Sequence, residues 1–236
     1  MSTPTWARRL RCQEAAVLVE DWPPPDERDR RVVAVCDVVG SRAVVLGSGQ
    51  RDGDLDPEAA GRNGRVVTRR WSGGGAVLVG PGEQAWVEVW LPRGDPLWDD
   101  DVVRSSWWLG DAWVRALGTL GIGGLEVHRG RAERNAWSDS VCFAGVGPGE
   151  VSAGERKLVG ISQRRTREGA RFQSTALARW EPSALLALLA PAVVAATGDP
   201  AALEKAAVGL VDLAAGAADA ARLSASVGEA VLDSLP

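Results

Sequence analysis

A glycine-rich segment behind two arginines is the first candidate for chemistry in this sequence. It reads Arg69-Arg70-Trp71-Ser72-Gly73-Gly74-Gly75-Ala76-Val77. Glycine lets the backbone approach a ligand closely, and the planar guanidinium groups of arginine match a carboxylate or a phosphate. The segment could therefore hold an extended ligand across its glycines, with the polar end of the ligand at the arginines. An ordinary tight turn is the alternative, because clustered glycines mark turns first.

A lysine in a second segment is the next candidate. The segment reads Gly154-Glu155-Arg156-Lys157-Leu158-Val159-Gly160-Ile161-Ser162-Gln163-Arg164-Arg165. An ammonium group held in a partly dry site stabilises an oxyanion strongly, because the effective dielectric constant is low there. We therefore expect Lys157→Ala to abolish any chemistry that needs this charge. We expect the fold to stay intact, since a surface change usually costs less than about 0.5 kcal/mol. A hairpin lysine that reaches into water is the alternative.

The two segments, in this order, resemble the motifs of the lipoate–protein ligase A family, which includes lipoate ligases and octanoyl transferases. In that family the first motif reads Arg-Arg-x-Ser/Thr-Gly-Gly-Gly-x-Val and the second reads Gly-Arg-Lys-x-x-Gly-Ser-Ala-Gln-Arg. The segment from Val44 to Gln50 also resembles the family's Val-x-Leu-Gly-x-x-Gln strand end, so the resemblance covers roughly residues 30 to 180. It implies the fold that this family shares with biotin protein ligases.

The resemblance implies roles for individual side chains. Lys157 matches the lysine that contacts the acyl carbonyl or acyl-adenylate, and Cys142 lies in a Ser-Val-Cys-Phe segment found in cysteine-using octanoyl transferases. A Cys142 thiolate would carry the acyl group as a thioester, with activation by nearby cations such as Lys157. The alternative, to which we give equal weight, is that Cys142 is a buried, inert cysteine. The implied substrate-binding residues, with Arg164 as a further support of the pocket, are Arg69, Arg70, Ser72, Gly73, Gly74, Gly75, Ala76, Gly160 and Gln163.

The sequence departs from the family pattern at three places. Ligases of the family often carry Asn-Asp near the position of Cys142, where it serves nucleotide and metal, and this chain has no such pair there. Histidines are also frequent at the places of Val79 and Gln173. The single histidine, His128, lies in neither place, and we expect a solvated histidine at a strand end. We predict no metal ligand among these residues.

The predicted function is transfer of a lipoyl or octanoyl group to a lysine of a lipoyl carrier domain, in a 2-oxoacid dehydrogenase or a glycine cleavage protein. The acyl donor stays open: it is a thioester of acyl carrier protein for a transferase, or free lipoate or octanoate with ATP and Mg²⁺ for a ligase. Cys142 favours the transferase. The missing histidines motivate an alternative, a non-catalytic protein on the same fold that binds an acyl group or a nucleotide. A biotin-type ligase is disfavoured, because that family prefers Gly-Arg-Gly-x-x-Gly-Arg at the glycine loop.

The strands that must position the glycine segment follow from short apolar runs. Buried strands are predicted over 32–36 and 43–46, a strand over 65–68 leads into the glycines, and another over 77–79 leaves them. Strict alternation predicts a sheet strand over 84–92 with its tryptophans on one face. Residues 5–20 favour a helix slightly over a strand, and Asp56-Pro57-Glu58 is predicted to start a short helix.

The second half of the chain contains the clearest helix. Apolar residues recur at helical spacing from Val102 to Leu117, behind an acidic start at 99–101 that suits the helix dipole. Strands are predicted over 125–127, 140–143, 158–161 and 172–180, with a hairpin over 145–154. The charged segment 129–139 is predicted to be a solvated loop.

The C-terminal residues 181–236 are rich in alanine. Pro182 and Pro200 stand at helix-start positions, the second behind a capping Asp199. We expect two or three helices that cover one face of the sheet. The predicted fold class is α+β, a mixed, mostly antiparallel sheet with packed helices, in a single catalytic domain over residues 1–236.

Composition limits the function classes. The net charge of -4 argues against a nucleic-acid surface, and the longest apolar run is shorter than the roughly 18 residues that a membrane span needs. Residues 1–20 lack a hydrophobic signal core, so a cytoplasmic protein is expected. Three separated cysteines suggest no disulfide framework, and one histidine without a CxxC motif makes a zinc site unfavourable.

Overall fold

A seven-stranded sheet forms the centre of the molecule. The computed structural model describes residues 5–20, 22–214 and 219–236. The strands of the large sheet are β1 Ala7–Gln13, β2 Val32–Val38, β6 Gln84–Pro92, β7 Leu125–Val127, β8 Val151–Ala153, β9 Arg156–Arg165 and β10 Gly169–Leu177. Their order is β1-β2-β6-β10-β9-β8-β7. β1 and β2 are parallel and the other neighbours are antiparallel, which confirms a mixed, mostly antiparallel sheet.

A smaller sheet carries the glycine segment. It consists of β3 Arg42–Leu46, β4 Arg65–Arg69 and β5 Val77–Val79, in the order β4-β3-β5. β3 pairs parallel with β4 and antiparallel with β5. The glycine segment connects β4 to β5, as the sequence predicts, so both of its ends are fixed by the same central strand.

Eight α-helices surround the sheets in the described ranges. They are α1 Ala15–Leu18, α2 Pro57–Arg62, α3 Trp107–Thr119, α4 Pro182–Leu186, α5 Pro191–Thr197, α6 Ala201–Glu204, α7 Leu210–Leu213 and α8 Ala220–Asp233. Asp56 caps α2, since its Oδ1 accepts the amide N–H groups of Glu58 and Ala59, each at 3.0 Å. The predicted start of this short helix is therefore confirmed. No helix in the described ranges is both long and apolar enough to cross a membrane.

The large sheet is covered on both faces. On one face, Val87 and Val89 of β6 share a core with Trp113 of α3 and Val227 of α8. On the other face, Trp86 and Trp90 of the same strand share a core with residues of β2, β3 and β5. The alternation predicted for residues 84–92 is confirmed, and the small sheet packs against the face that carries the tryptophans.

Two predicted elements near the N-terminus and before α3 are wrong in part. Residues 7–13, for which a helix was slightly favoured, form β1, because they pair residue by residue with β2 from Ala7–Val32 to Gln13–Val38. The local sequence pattern of residues 7–13 does not indicate this non-local pairing. The long helix begins at Trp107 after a 3₁₀ turn, Arg104–Ser106, rather than at Val102, which is 56% exposed.

The strand predicted over 140–143 is a turn. The amide N–H groups of Ser140 and Val141 both donate to the carbonyl of Trp137, at 2.9 and 2.8 Å. Only an isolated bridge joins Val141 to Ala76 of the glycine segment. The hairpin also lies later than predicted, since β8 and β9 are joined through Gly154, whose φ is 59°.

The C-terminal region contains more breaks than predicted. Five helices, α4 to α8, lie where two or three were expected. Pro182 is the first residue of α4, and Asp199 Oδ1 accepts the amide N–H of Ala201 at the start of α6, at 3.0 Å. Val227 and Val231 of α8 join the core on the large sheet.

Candidate functional site

A cavity of about 220 Å³ lies between the two sheets and gathers residues from both sequence motifs. We call it the central cavity. One part of its lining is apolar: Val19, Val45, Val77, Val79 and Trp86. The rest carries polar side chains, among them Arg70, Cys142, Glu150, Lys157 and Gln173. An apolar lining with a few convergent polar groups is typical of small-molecule sites, and it suits an apolar chain with one reactive polar end.

Lys157 lies in the central cavity and is buried. It is the second residue of β9, and only 4% of it is exposed. Its Nζ lies 2.7 Å from Glu150 Oε2 and donates to the carbonyl oxygens of Cys142 and Gly145, each at 3.1 Å. All three ammonium hydrogens therefore have acceptors, and the alternative of a hairpin lysine in water is wrong.

The C-terminal region fixes the backbone of this lysine. The amide N–H of Lys157 donates to the carbonyl of Ala206 at 3.0 Å, and the amide N–H of Val208 donates to the carbonyl of Lys157 at 2.9 Å. The segment between α6 and α7 thus adds a short bridge beside β9. Because main-chain hydrogen bonds hold both sides of the residue, its side chain leaves the strand in a defined direction.

Burial overturns the expectation that loss of Lys157 leaves stability untouched. Glu150 and Lys157 have side chains that are 8% and 5% exposed. Removal of one partner of a buried ion pair leaves an uncompensated charge and typically costs about 3–5 kcal/mol. Lys157→Ala is therefore expected to weaken the fold as well as the chemistry.

Glu150 is a site residue that the sequence does not single out. It precedes β8, and β8 pairs with β9 through a register shift between Val151 and Ser152. This irregular pairing places the carboxylate against Lys157, and no simple spacing rule predicts it. The one available hint was an acidic residue between glycines and an apolar strand, where solvation is the ordinary expectation.

Cys142 also reaches the central cavity, from the turn that replaces the predicted strand. Its amide N–H donates to the carbonyl of Ala76 at 2.9 Å, and its Sγ lies 3.8 Å from Arg70 Nη2. The residue is partly exposed, whereas Cys36 is buried and Cys12 lies on the surface. Of the three cysteines, Cys142 is the one that lines the central cavity.

Arg70 braces the glycine segment rather than offering a free fork to a ligand. Its Nη2 donates to the carbonyls of Gly73 and Gly75, at 2.7 and 2.9 Å. Its Nε donates to Ser72 Oγ at 3.1 Å and its Nη1 to the carbonyl of Val45 at 3.3 Å. The residue is only 8% exposed. Arg70 lines the cavity, but most of its donors are already used by the protein.

Arg69 serves the neighbouring loop. Its Nη1 donates to the carbonyls of Gly47 and Gln50, at 2.8 and 2.5 Å, and its Nη2 donates to Asp52 at 2.5 Å. It is not part of the lining of the central cavity. The expectation that both arginines hold the polar end of a ligand is therefore not what the structure shows. Arg69 ends β4 and Arg70 follows it, and the two side chains bind different parts of the chain.

Two of the three glycines are required, Gly74 by its positive φ and Gly75 by close packing. Gly73 and Gly74 line the cavity, and Gly74 has a φ of 91°. A Cβ atom on Gly75 would lie 2.2 Å from the amide nitrogen of Val141, in the turn that carries Cys142. The flanking Ala76 donates its amide N–H to the carbonyl of Ser140 at 2.9 Å. Glycine therefore lets the first motif touch the cysteine turn directly.

The second motif is divided between the two faces of β9. Gly160 lines the central cavity, where a Cβ atom would lie 3.4 Å from the Phe143 ring. Gln163 lies on the other face, with Nε2 donating to the carbonyl of Val102 at 2.9 Å and Oε1 accepting from Ser105 Oγ at 3.0 Å. It supports the start of α3 instead of the pocket. The alternation of side chains along a strand explains the separation.

Two further predicted residues lie near the cavity without lining it. The Arg164 guanidinium lies 4.8 Å from the ring centroid of Trp71, which is 60% exposed. His128 follows β7, is half-buried and has Nε2 2.7 Å from the carbonyl oxygen of Arg131. Its position at a strand end is as predicted, with a protein contact in place of full solvation.

The two positions at which the family pattern implies histidine are both on the cavity wall. Val79 and Gln173 line the central cavity. Gln173 Nε2 donates to Glu88 Oε1 at 2.7 Å. Glu88 is fully buried and also binds Arg171, at 2.7 Å, and Arg11, at 2.5 Å. A buried ion cluster behind the cavity therefore holds the glutamine in place.

The family comparison agrees with the site. The family model described as lipoyl protein ligase A/B catalytic domain matches residues 29–231. The match includes the glycine segment, the cysteine turn and β9. No curated protein sequence matches the chain.

Solved structures share the fold at low sequence identity. Protein Ta0514 from T. acidophilum with bound lipoic acid is 20% identical, with a TM-score of 0.60 over 86% of this chain and 73% of that chain. Lipoate-protein ligase A bound with ATP is 20% identical, with a TM-score of 0.61 over the same shares. P. falciparum LipL1 in complex with lipoate is 11% identical, with a TM-score of 0.62 over 98% of this chain and 62% of that chain.

Proposed function

Because this chain belongs to the lipoyl protein ligase A/B catalytic domain family, we propose that it transfers a lipoyl or octanoyl group to a lysine of a lipoyl carrier domain. The observation that carries the proposal is the buried Lys157 ammonium at the polar end of an apolar cavity. The family and the fold support an enzyme of this class. The carrier domains of 2-oxoacid dehydrogenases or glycine cleavage proteins are the proposed acceptors, and a solved relative from Thermoplasma acidophilum is paired with its E2 lipoyl domain.

The proposed chemistry uses the two ends of the central cavity differently. The acyl chain lies against the apolar lining, and the acyl carbonyl lies at Lys157. The amine of the carrier lysine forms a C–N bond to the acyl carbon, and the negative charge that develops on the acyl oxygen is stabilised by the ammonium. The oxygen replaces the carbonyl of Cys142 or Gly145 on Nζ. The bond to the donor then breaks, and the leaving group departs with the proton that the amine loses.

Cys142 supports a transferase with a covalent step. Its thiolate would attack the thioester of acyl carrier protein, forming a new thioester while the carrier thiolate leaves. The acceptor amine would then displace the Cys142 thiolate. Arg70 Nη2 lies 3.8 Å from the sulfur of this nucleophile. Cys142→Ser is expected to remove the acyl adduct of the enzyme and to reduce transfer.

The ligase version takes free lipoate or octanoate with ATP and Mg²⁺. Its support is that related structures hold lipoic acid or ATP. Within the part of the chain that the structure describes, no group of three His, Cys, Asp or Glu side chains is placed to hold a metal ion. Mg²⁺ is commonly held by one or two carboxylates together with substrate phosphates, so a ligase would depend on the nucleotide to complete the metal site.

A non-catalytic binding protein is the second candidate function. The observation that favours it is the pair Val79 and Gln173, which place no histidine on the cavity wall at the positions where related sequences often have one. Such a protein would bind octanoate or an acyl-adenylate analogue and label no carrier domain.

One assay separates these versions. The protein is incubated with an apo lipoyl domain and octanoyl acyl carrier protein, octanoate with ATP and Mg²⁺, lipoate with ATP and Mg²⁺, or no donor, and intact masses are measured. Carrier labelling by the thioester, with an adduct on Cys142, is expected. Labelling that needs ATP, without a Cys142 adduct, would contradict the transferase version. Absence of labelling with every donor would contradict the enzyme altogether.

A further inference from the structure

Glu150 is the buried acidic partner of Lys157 in the central cavity. It is 6% exposed, and its Oε2 lies 2.7 Å from Nζ. Glu150 directly precedes β8 and Lys157 is the second residue of β9, so the pair spans the register shift between Val151 and Ser152. Both side chains line the cavity. The pair is thus part of the wall that a bound acyl group would face.

Two backbone amides hold the Glu150 carboxylate. The N–H of Gly147 donates to Oε2 at 2.6 Å, and the N–H of Ile161 donates to Oε1 at 3.0 Å. With the ammonium of Lys157, three donors use the two oxygens. Little acceptor capacity is left to take a proton from an attacking amine. The contribution of Glu150 to the chemistry must therefore pass through Lys157.

The acceptors around Nζ differ in strength. An ammonium group has three N–H donors on a flexible stem, and its direction is set by what it binds. Glu150 supplies a charged acceptor, while Cys142 and Gly145 supply neutral carbonyls at 3.1 Å. Charge-assisted hydrogen bonds are roughly twice as strong as neutral ones. An acyl oxygen that gains negative charge therefore displaces a carbonyl and leaves the bond to Glu150 in place.

We propose that Glu150 is the positioning residue of the Lys157 ammonium, anchoring one N–H so that another points at the acyl oxygen. The inference rests on the proposed function, because it concerns the orientation of the proposed oxyanion donor. It makes Glu150 necessary for the rate of the acyl step and unnecessary for holding the acyl chain. Misplacement of a reacting group by about 1 Å can cost about 10² in rate.

The composition of the chain makes the ammonium observable. Only Lys157 and Lys205 are lysines, and Lys205 is exposed. Protein labelled with ¹⁵N-lysine therefore gives at most two side-chain ammonium signals by NMR, and Lys205→Arg identifies the one that belongs to Lys157. An ammonium with three protein acceptors is expected to exchange its protons slowly with water. Exchange of Lys157 as fast as that of Lys205 in the wild type would overturn the inference without any further variant.

The variant that tests the role is Glu150→Gln, with Glu155→Gln as its matched control. Glu155 is exposed and lies in the turn of the same hairpin. Glu150→Gln is expected to lose the slowly exchanging ammonium signal and to lower kcat for carrier acylation about 10²-fold, with KM for the acyl donor unchanged. Glu155→Gln is expected to keep both the signal and kcat.

The inference is overturned if Glu150→Gln keeps the ammonium signal. It is also overturned if Glu150→Gln loses the signal but retains the wild-type kcat. If Glu150→Gln does not fold, Glu150→Asp keeps the charge with a shorter reach, and the same losses are expected. Failure of the proposed function would give a different result. The wild type would label no carrier with any donor, while the ammonium signal would still report whether Glu150 positions Lys157.

Discussion

Two buried glutamates on the large sheet are each paired with cationic side chains, and the type of cation differs between them. Glu88 on β6 is bound by the guanidinium groups of Arg11 and Arg171. Glu150 is bound by the ammonium of Lys157. The arginine forks also bind main-chain carbonyls around α1, including that of Leu18. Both partners of the lysine pair line the central cavity, whereas the Glu88 cluster reaches it only through a glutamine.

The difference indicates a division between structure and chemistry. A guanidinium presents several donors in one fixed plane, and the Nη1 and Nη2 groups of Arg11 and Arg171 join segments of the chain here. The Lys157 ammonium is a compact charge with two neutral acceptors that a substrate oxygen can replace. The Glu88 cluster should therefore matter for stability and the Glu150 pair for both stability and rate.

The largest effect is expected for Lys157→Ala. Loss of the oxyanion donor should lower the transfer rate by about 10² to 10³. The buried carboxylate left behind should lower the free energy of unfolding by about 3–5 kcal/mol. Urea denaturation and carrier acylation, measured on the same preparation, check the two losses. If the variant keeps both wild-type stability and the wild-type rate, Lys157 is neither the oxyanion donor nor part of a stabilising ion pair.

Glu88→Gln should separate stability from rate. It leaves Arg11 and Arg171 buried without their carboxylate, and removal of one partner from such a pair costs about 3–5 kcal/mol. Because neither Glu88 nor the two arginines line the central cavity, kcat for the folded variant should fall by less than tenfold. A loss of rate as large as that of Lys157→Ala, with unchanged stability, would reverse the division.

A double variant should recover stability without recovering rate. In Lys157→Met with Glu150→Gln, both charges are gone, so the penalty of an unpaired buried charge is relieved. A coupling free energy of about 0.5–3 kcal/mol is expected from the cycle of the two single variants and the double variant. Transfer should stay at the level of Lys157→Met. Additive losses of stability would show that the two side chains do not interact.

The smallest effect concerns Cys36 beside the Glu88 cluster. Burial, and then the charge of Glu88, raise the pKa of the Cys36 thiol well above its ordinary value of 9.0. The unfolded chain therefore loses this proton first, and stability should fall as the pH rises above 9.0, by up to about 1.4 kcal/mol per pH unit. Urea midpoints from pH 8 to pH 10 should show a steeper fall for the wild type than for Cys36→Ala. Equal slopes would mean that Cys36 ionises as freely in the folded protein.

Local patterns were sufficient for the parts of the fold that depend on one segment at a time. The alternation over residues 84–92 and the cap at Asp56 both appear in the structure. The edge strand β1 was missed, because its residues are strand only by virtue of pairing with β2. The cysteine turn was missed because its apolar residues pack through turns and one bridge to Ala76 rather than through a ladder.

The candidate site could be predicted only in part for a similar reason. Motif order brought Lys157, Cys142 and the glycine segment together, and the structure places them around one cavity. Motif order could not show that Arg70 donates its hydrogen bonds to the glycine loop, or that Gln163 faces the start of α3. Nor could it pair Glu150 with Lys157, since that contact depends on a shifted register between β8 and β9.

The most direct test of the central claim is carrier acylation by Lys157→Arg, followed by intact mass, together with its unfolding midpoint. Of the 27 lysine and arginine residues only Lys157 and Lys205 are lysines, and arginine keeps the positive charge opposite Glu150. If the reaction requires an ammonium on which the acyl oxygen can replace a main-chain carbonyl, the variant should unfold near the wild-type urea midpoint. Its transfer rate should fall by about 10² or more. Transfer at the wild-type rate would show that any cation suffices at this place and would contradict the proposed role of Lys157.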